Sequence, residues 1–168
     1  KSKNADFFVT RNIQPFSYRI MKKNRWEIKR LLLNMVVVSA NVRGVKADKI
    51  TLTPALLADI YLEKVRFWDN ERIKALNPTI TFPRARIITL GLSRRSGVNY
   101  AFTRFLSSRS AAWGRRIGAR TKVNWPADYS LEADTSGELK EILAQTPNSI
   151  GYTPFYEGES DHHDSALL

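Results

Sequence analysis

Residues Ile50 to Pro78 read ITLTPALLADIYLEKVRFWDNERIKALNP. Thr53 followed by Pro54 is a helix start. A Thr hydroxyl caps the first free N–H groups, and proline is pre-set for the first helical position. Leu56, Leu57, Ile60, Tyr61, Lys64 and Val65 then recur at helical spacing, with Lys64 the one polar exception. Asp69 is placed to cap a second, short helix, NERIKAL, and Asn77-Pro78 stops it. Two helices in series, the first amphipathic, need an apolar layer to pack on.

That layer is legible on both sides. Leu31 to Ala40, LLLNMVVVSA, is β-branched and nearly continuous, as in a strand covered on both faces of a parallel or mixed sheet. On the other side, Arg86 to Leu90, RIITL, reads as a short strand. A Ser-Gly turn and a helix from Gly97 to Ser107 follow it. Ser110 caps a further helix, AAWGRRI, and Ser136 starts another in which Leu139, Ile142 and Leu143 form one apolar face. Pro147-Asn148 breaks that helix, and SIGYTPF is a last strand. Strands alternating with helices predict an α/β layered domain. The organisation expected is a basic connector over 1–30, the lobe over 31–156 and an acidic, mobile tail over 157–168.

The chain has 168 residues, 43% of them hydrophobic, which is enough for one cored domain and too many for disorder. No apolar run reaches the roughly 20 residues of a membrane-spanning helix. Cysteine is absent, which removes disulfides and thiolate metal sites. The net charge of +11 is uneven: residues 1–122 carry a balance of +19 and residues 123–168 one of −8. Such asymmetry points to an electrostatic partner for the basic part: nucleic acid, anionic lipid or an acidic protein surface.

Five segments in order resemble the periplasmic phosphate-binding proteins of ABC transporters. They are MVVVSANVRGVK from Met35, the opening stretch, SGVNYAFTRFLS from Ser96, VNWP from Val123 and QTPNSIGYTPF from Gln145. The resemblance implies a three-layer α/β sandwich with a mixed, mainly parallel sheet, like one lobe of a type II periplasmic binding protein. Trp68, Trp113 and Trp125 fall on core positions of that family. In the family, phosphate sits between two lobes, and the matched region corresponds mainly to the second.

What the resemblance implies for ligand positions is mixed. The family's buried arginine, four residues before its Ser-Gly-Thr turn, falls on Leu92. Ser96 and Gly97 keep the turn, but its threonine is Val98. The family's aspartate segment, if DFFVTRNIQPF is its counterpart, has Thr10 and Arg11 in place of Ser and Asp. The family's glycine-rich loop is replaced by SLEADTSGE. An oxyanion site, if retained, rests on Ser96, Gly97, Arg94 and Arg95, where a helix N-terminus favours an anion.

Catalysis finds little support. His162 and His163, flanked by Asp161 and Asp164, read as a solvated tail rather than a metal site, and no cofactor or metal is expected. No nucleotide loop, zincin motif or nucleophile elbow is present. Arg19 to Arg30 carries six cations around Trp26, namely Arg19, Lys22, Lys23, Arg25, Lys29 and Arg30. Arg94 to Lys122 holds eight more and no acid, with Arg115 and Arg116 beside Trp113. Both runs are read as docking faces for acidic protein subunits or an anionic membrane surface in preference to nucleic acid, since no nucleic-acid motif accompanies them. The function expected is a non-catalytic accessory subunit of a larger, membrane-associated assembly in a mitochondrion or plastid. The alternatives are a phosphate-binding, periplasmic solute-binding module and a nucleic-acid-binding basic protein.

Overall fold

The computed structural model describes residues 35–125, 128, 130–155 and 165–166, together with Lys23. The chain divides between Asn34 and Met35, and apart from Lys23 everything described lies after that division.

Five strands form one sheet: β1 (Met35–Asn41), β2 (Ile88–Leu92), β3 (Ser130–Ala133), β4 (Ser149–Phe155) and β5 (Ser165–Ala166), in the order β3-β2-β4-β1-β5. β2 runs parallel to β3 and β4, whereas β1 pairs antiparallel with β4 and with β5. β1 alone therefore opposes the other four, and the sheet is mixed and mainly parallel. In β1, Val37 and Val38 are both buried although they are adjacent, so this strand is covered on both faces.

Helices cover the two faces. On one side lie α1 (Pro54–Tyr61), α2 (Glu71–Leu76), α3 (Gly97–Arg109) and α4 (Ala111–Arg116). Their apolar residues meet Ile150 and Tyr152 of β4 in a core that includes Leu57, Tyr61, Trp68, Phe102, Leu106 and Trp113. On the other side α5 (Ser136–Gln145) packs Leu139 and Leu143 onto Leu90, Leu92 and Ala133. Each such side chain contributes about 1.5–3 kcal/mol by leaving water. The result is the three-layer α/β sandwich expected. Gly151 lets α5 sit close to the sheet, because a Cβ there would lie 3.0 Å from Leu139 Cδ2 and 3.3 Å from Leu90 Cβ.

The local chemistry is mostly where the sequence puts it. Thr53 Oγ1 accepts from Leu56 N at 3.2 Å, and Ser110 Oγ accepts from Trp113 N at the same distance. Asn77 does more than stop α2: its amide bonds both Thr51 N and Thr51 O, pinning the strand-like approach to α1.

Four expectations are corrected. α1 ends at Tyr61, short of Val65. Glu63 adopts φ 59°, its N–H donates to Ile60 O, and Lys64 N donates to Asp59 O at 2.9 Å. This is a Schellman closure with Glu at the position usually given to Gly. It turns the chain so that Arg66 and Trp68 can bond the backbone of residues 85–87. Those bonds occupy Arg86 and its neighbours, so β2 starts at Ile88 and runs to Leu92. The cap of α2 is Asn70, whose Oδ1 accepts from Arg72 N at 3.0 Å, and not Asp69. α5 starts at Ser136 as expected, with Thr135 as its cap. α3 extends two residues further, to Arg109, because Leu106 O still finds a donor in Ser110 N. Within the tail segment, Ser165 and Ala166 form β5 beside Ser39 and Val38 of β1.

Candidate functional site

Parallel β2 and β3 end side by side, and each feeds a helix. β2 leads through Ser93–Ser96 into α3; β3 leads through Asp134 and Thr135 into α5. Two helix N-termini therefore stand at the carboxyl ends of adjacent parallel strands, the usual place for ligands in open α/β sheets.

The turn before α3 is held by Asn99, which is fully buried. Its Nδ2 donates to Leu92 O (3.0 Å), Arg94 O (3.1 Å) and Thr121 O (3.1 Å). Its Oδ1 accepts from the Tyr152 hydroxyl, which itself accepts from Leu92 N at 3.2 Å. Ser96 Oγ accepts from Asn99 N at 3.0 Å, and Ser96 N donates to Thr121 O at 2.9 Å. Three segments remote in sequence thus converge on one amide. Burial raises the Tyr152 phenol above its ordinary range, and burial does the same to Tyr61, whose hydroxyl donates to Leu90 O at 3.1 Å. Both stay neutral donors at any physiological pH.

The strand ends are joined by a clasp. Asp134 Oδ1 accepts from the Ser93 hydroxyl at 2.5 Å and Asp134 Oδ2 from Arg94 Nη2 at 2.6 Å. The Arg94 hydrogen bond, then that of Ser93, holds the Asp134 carboxyl below the usual carboxylate range. Ser93 N also donates to Ala133 O at 2.9 Å, and Asp134 N donates to Glu138 Oε2 at 2.8 Å.

Each residue singled out from the sequence has a definite place. Ser96 is the α3 cap, and Gly97 is the exposed first residue of that helix. Arg94 is exposed but committed to Asp134, and Arg95 is exposed without a described partner. Leu92 packs into the α5-side core, where a charge has no room, and Val98 is half-buried. Among the described residues the N–H groups of Gly97 and Val98 have no acceptor. Arg115 and Arg116 are exposed in the last turn of α4, and Lys23 is exposed. Arg19, Lys22, Arg25, Lys29, Arg30, Trp26, Thr10, Arg11 and the His162–His163 pair with Asp161 and Asp164 lie outside the described residues. Trp68 and Trp113 are fully buried, and Trp125 is partly buried against the same core.

Sequence reasoning missed Asn99, Tyr152, Thr121 and Asp134. Asn99 left one trace: a polar side chain three and four residues before Phe102 and Thr103, on the buried stripe of α3.

The segment after α4 gathers further charge. Arg120 N donates to Thr103 Oγ1 at 2.8 Å, and Thr121 O serves both Ser96 N and Asn99. Residues 120–122 therefore run along α3 to its N-terminal end, bringing the backbones of Arg120 and Lys122 towards Arg94 and Arg95. Of the eight cations from Arg94 to Lys122, only Arg94 pairs with a carboxylate among the described residues.

No protein-family model matches the chain. It is 35% identical over 128 residues to the phosphate-binding protein PstS of Methanocaldococcus jannaschii, covering 73% of this chain and 33% of that protein. With the PstS of Haemophilus influenzae it shares 27% identity over 154 residues, covering 92% of this chain and 45% of that one. The chain thus spans between a third and a half of the length of these curated relatives. Among solved structures it resembles a high-affinity periplasmic phosphate-binding protein, PfluDING, with TM-score 0.57 and 19% identity over 72% of this chain and 32% of that one. A phosphate-binding protein of Stenotrophomonas maltophilia gives TM-score 0.56 at 13% identity, over 93% and 48% of the two chains. These structural likenesses concern the fold.

Proposed function

Because this chain is a divergent relative of the PstS phosphate-binding proteins, matching a third to a half of their length, we propose that it supplies one wall of an oxyanion site and binds phosphate as part of a solute-binding module. The observation that carries the reading is the turn at Ser96–Gly97. It is pre-organised by Asn99, and among the described residues the Gly97 and Val98 N–H groups and the neighbouring Arg95 have no partner. Preformed N–H groups at a helix N-terminus bind an anion without further ordering cost. The protein acts as a binder, and no step of bond chemistry is assigned to it. PfluDING, which shares this fold, is a periplasmic phosphate-binding protein, and the setting proposed for this chain is likewise extracytoplasmic rather than organellar.

Leu92 and Val98 set the expected strength. A charge-assisted contact is worth about 1.5–3 kcal/mol, so an apolar residue at the family's arginine position removes tenfold or more in affinity. Isothermal titration with phosphate and with sulfate tests the reading. Saturable phosphate binding, weakened several-fold by Arg95→Gln, is expected. Absence of any heat at millimolar phosphate overturns it.

A second reading has its own observation. The cations Arg95, Arg104, Arg109, Arg115, Arg116, Arg120 and Lys122 find no carboxylate among the described residues. The large exposed apolar residues, Met35, Phe67, Leu76, Leu131 and Phe155, all lie elsewhere. Such a set of exposed cations suits the carboxylates of an acidic partner subunit better than a membrane, which rewards inserted apolar groups, or single-stranded nucleic acid, which rewards stacking. In this reading the lobe is an accessory subunit of an assembly. Purification from its source at physiological salt decides: co-elution with a partner, lost on Arg115→Glu/Arg116→Glu, supports it, and a free monomer removes it.

A further inference from the structure

Two side-chain donors beside the Ser96 turn, Ser93 and Arg94, are already engaged by an anion of the chain's own. Asp134 presents both carboxylate oxygens to them: Oδ1 takes the Ser93 hydroxyl, and Oδ2 takes the Arg94 guanidinium at 2.6 Å. A hydroxyl and a guanidinium around a planar two-oxygen anion are the donor types that also grip phosphate. Asp134 is not a chance surface residue in that position. Glu138 Oε2 accepts its backbone N–H, and Ser93 N bonds Ala133 O, so the two strand ends are held in register with the carboxylate between them. Arg94 is joined to the turn on its other side, since its carbonyl accepts from Asn99 Nδ2 at 3.1 Å. The clasp spans 40 residues of sequence and ties the approach to α3 to the approach to α5.

We infer that Asp134 is a built-in competitor of the oxyanion site: its carboxylate holds Arg94 away from the ligand, and phosphate binds fully only by displacing it. This rests on the phosphate reading above. The pair is largely exposed, with side-chain exposures of 73% for Arg94 and 49% for Asp134, so its hold is that of a surface ion pair and within reach of a divalent anion.

Phosphate titrations of the full chain and four variants test this. Asp134→Asn should tighten phosphate about three- to fivefold, the worth of one exposed ion pair. Asp134→Asn/Arg94→Gln should lose that gain, because the freed guanidinium is its source. Glu141→Gln removes an exposed acid on α5 outside the clasp and should leave affinity unchanged. Arg94→Gln alone removes the guanidinium that phosphate wins from Asp134 and should weaken affinity, but by less than the same substitution does in the Asp134→Asn background, where no carboxylate competes for it. An Asp134→Asn protein no tighter than the parent overturns the inference, as does a gain that survives loss of Arg94 or is matched by Glu141→Gln. Silence from the parent and every variant overturns the phosphate reading itself, a distinguishable result. Circular dichroism of each variant confirms that the fold is kept.

Discussion

Asn99→Ala is the sharpest test of how the site is built. The side chain is fully buried and makes four hydrogen bonds, to Leu92 O, Arg94 O, Thr121 O and the Tyr152 hydroxyl. Two amide hydrogens serve three carbonyls, so one bond is shared and the effective loss is about three partners. Each buried group left without a partner costs about 1–3 kcal/mol, and such losses overlap within one network. A loss of about 3–5 kcal/mol follows, a large part of the roughly 5–15 kcal/mol that holds a domain together. Tyr152→Phe removes only the hydroxyl that bridges Asn99 Oδ1 and Leu92 N, and should cost about 1–2 kcal/mol. Because the two residues share a bond, the double variant should fall short of the sum by about 0.5 kcal/mol or more. Urea unfolding followed by tryptophan fluorescence measures all three. A loss below about 1 kcal/mol for Asn99→Ala would mean that buried partners are readily replaced, and the account of a pre-organised turn would be refuted.

Gly91→Ala should destabilise by about 1–3 kcal/mol and shift tryptophan emission, because the new Cβ would lie 2.3 Å from the Trp125 ring and the indole must move; unchanged emission and stability would refute the packing described. Tyr61 and Tyr152 have raised phenol pKa values, so the stability they contribute is complete below pH 10 and is lost as pH rises above it towards the folded values. Each adds a slope of about 1.4 kcal/mol per pH unit in that range, and Tyr152→Phe should remove one such increment in alkaline urea titrations. The Asp134 carboxyl is depressed, so its contribution is present above its ordinary value of 3.8 and disappears as pH falls through the folded one. The difference in urea midpoint between the parent and Arg94→Gln should therefore be constant near neutrality and vanish below that range; a constant difference down to pH 2 would exclude the Arg94–Asp134 pair as its source.

Much of the framework was legible because its causes are local. A cap at Thr53 or Ser110 is a bond between residues three apart, and the all but continuous burial of SIGYTPF follows from a run without a charge. The start of β2 was not legible in that way: it begins at Ile88 because residues 66–68 bond residues 85–87, a pairing between segments that no window of the sequence contains. α1 stops at Tyr61 through the closure at Glu63, a positive φ taken by a residue other than the usual glycine. Half of the candidate site was readable in the same way: Ser96 as a cap and Gly97 as the first helical residue are local facts. The other half was not. Asp134 looked like an ordinary acid at a helix start, and nothing in SLEADTSGE states that its carboxylate meets an arginine 40 positions earlier.

The order of residues by itself determined the alternation of strands and helices, where most helices begin, the absence of thiolate chemistry and the uneven charge. Those follow from hydrogen bonds within a few residues, from side-chain periodicity and from counting. Tertiary structure alone decided that β1 runs against its four neighbours, that β2 and β3 end side by side, and that Asn99 collects bonds from residues 92–94, 121 and 152. The physical reason is range. A buried polar group must find a partner somewhere, but which one it finds depends on how distant segments are brought together when the apolar faces of the sheet are covered.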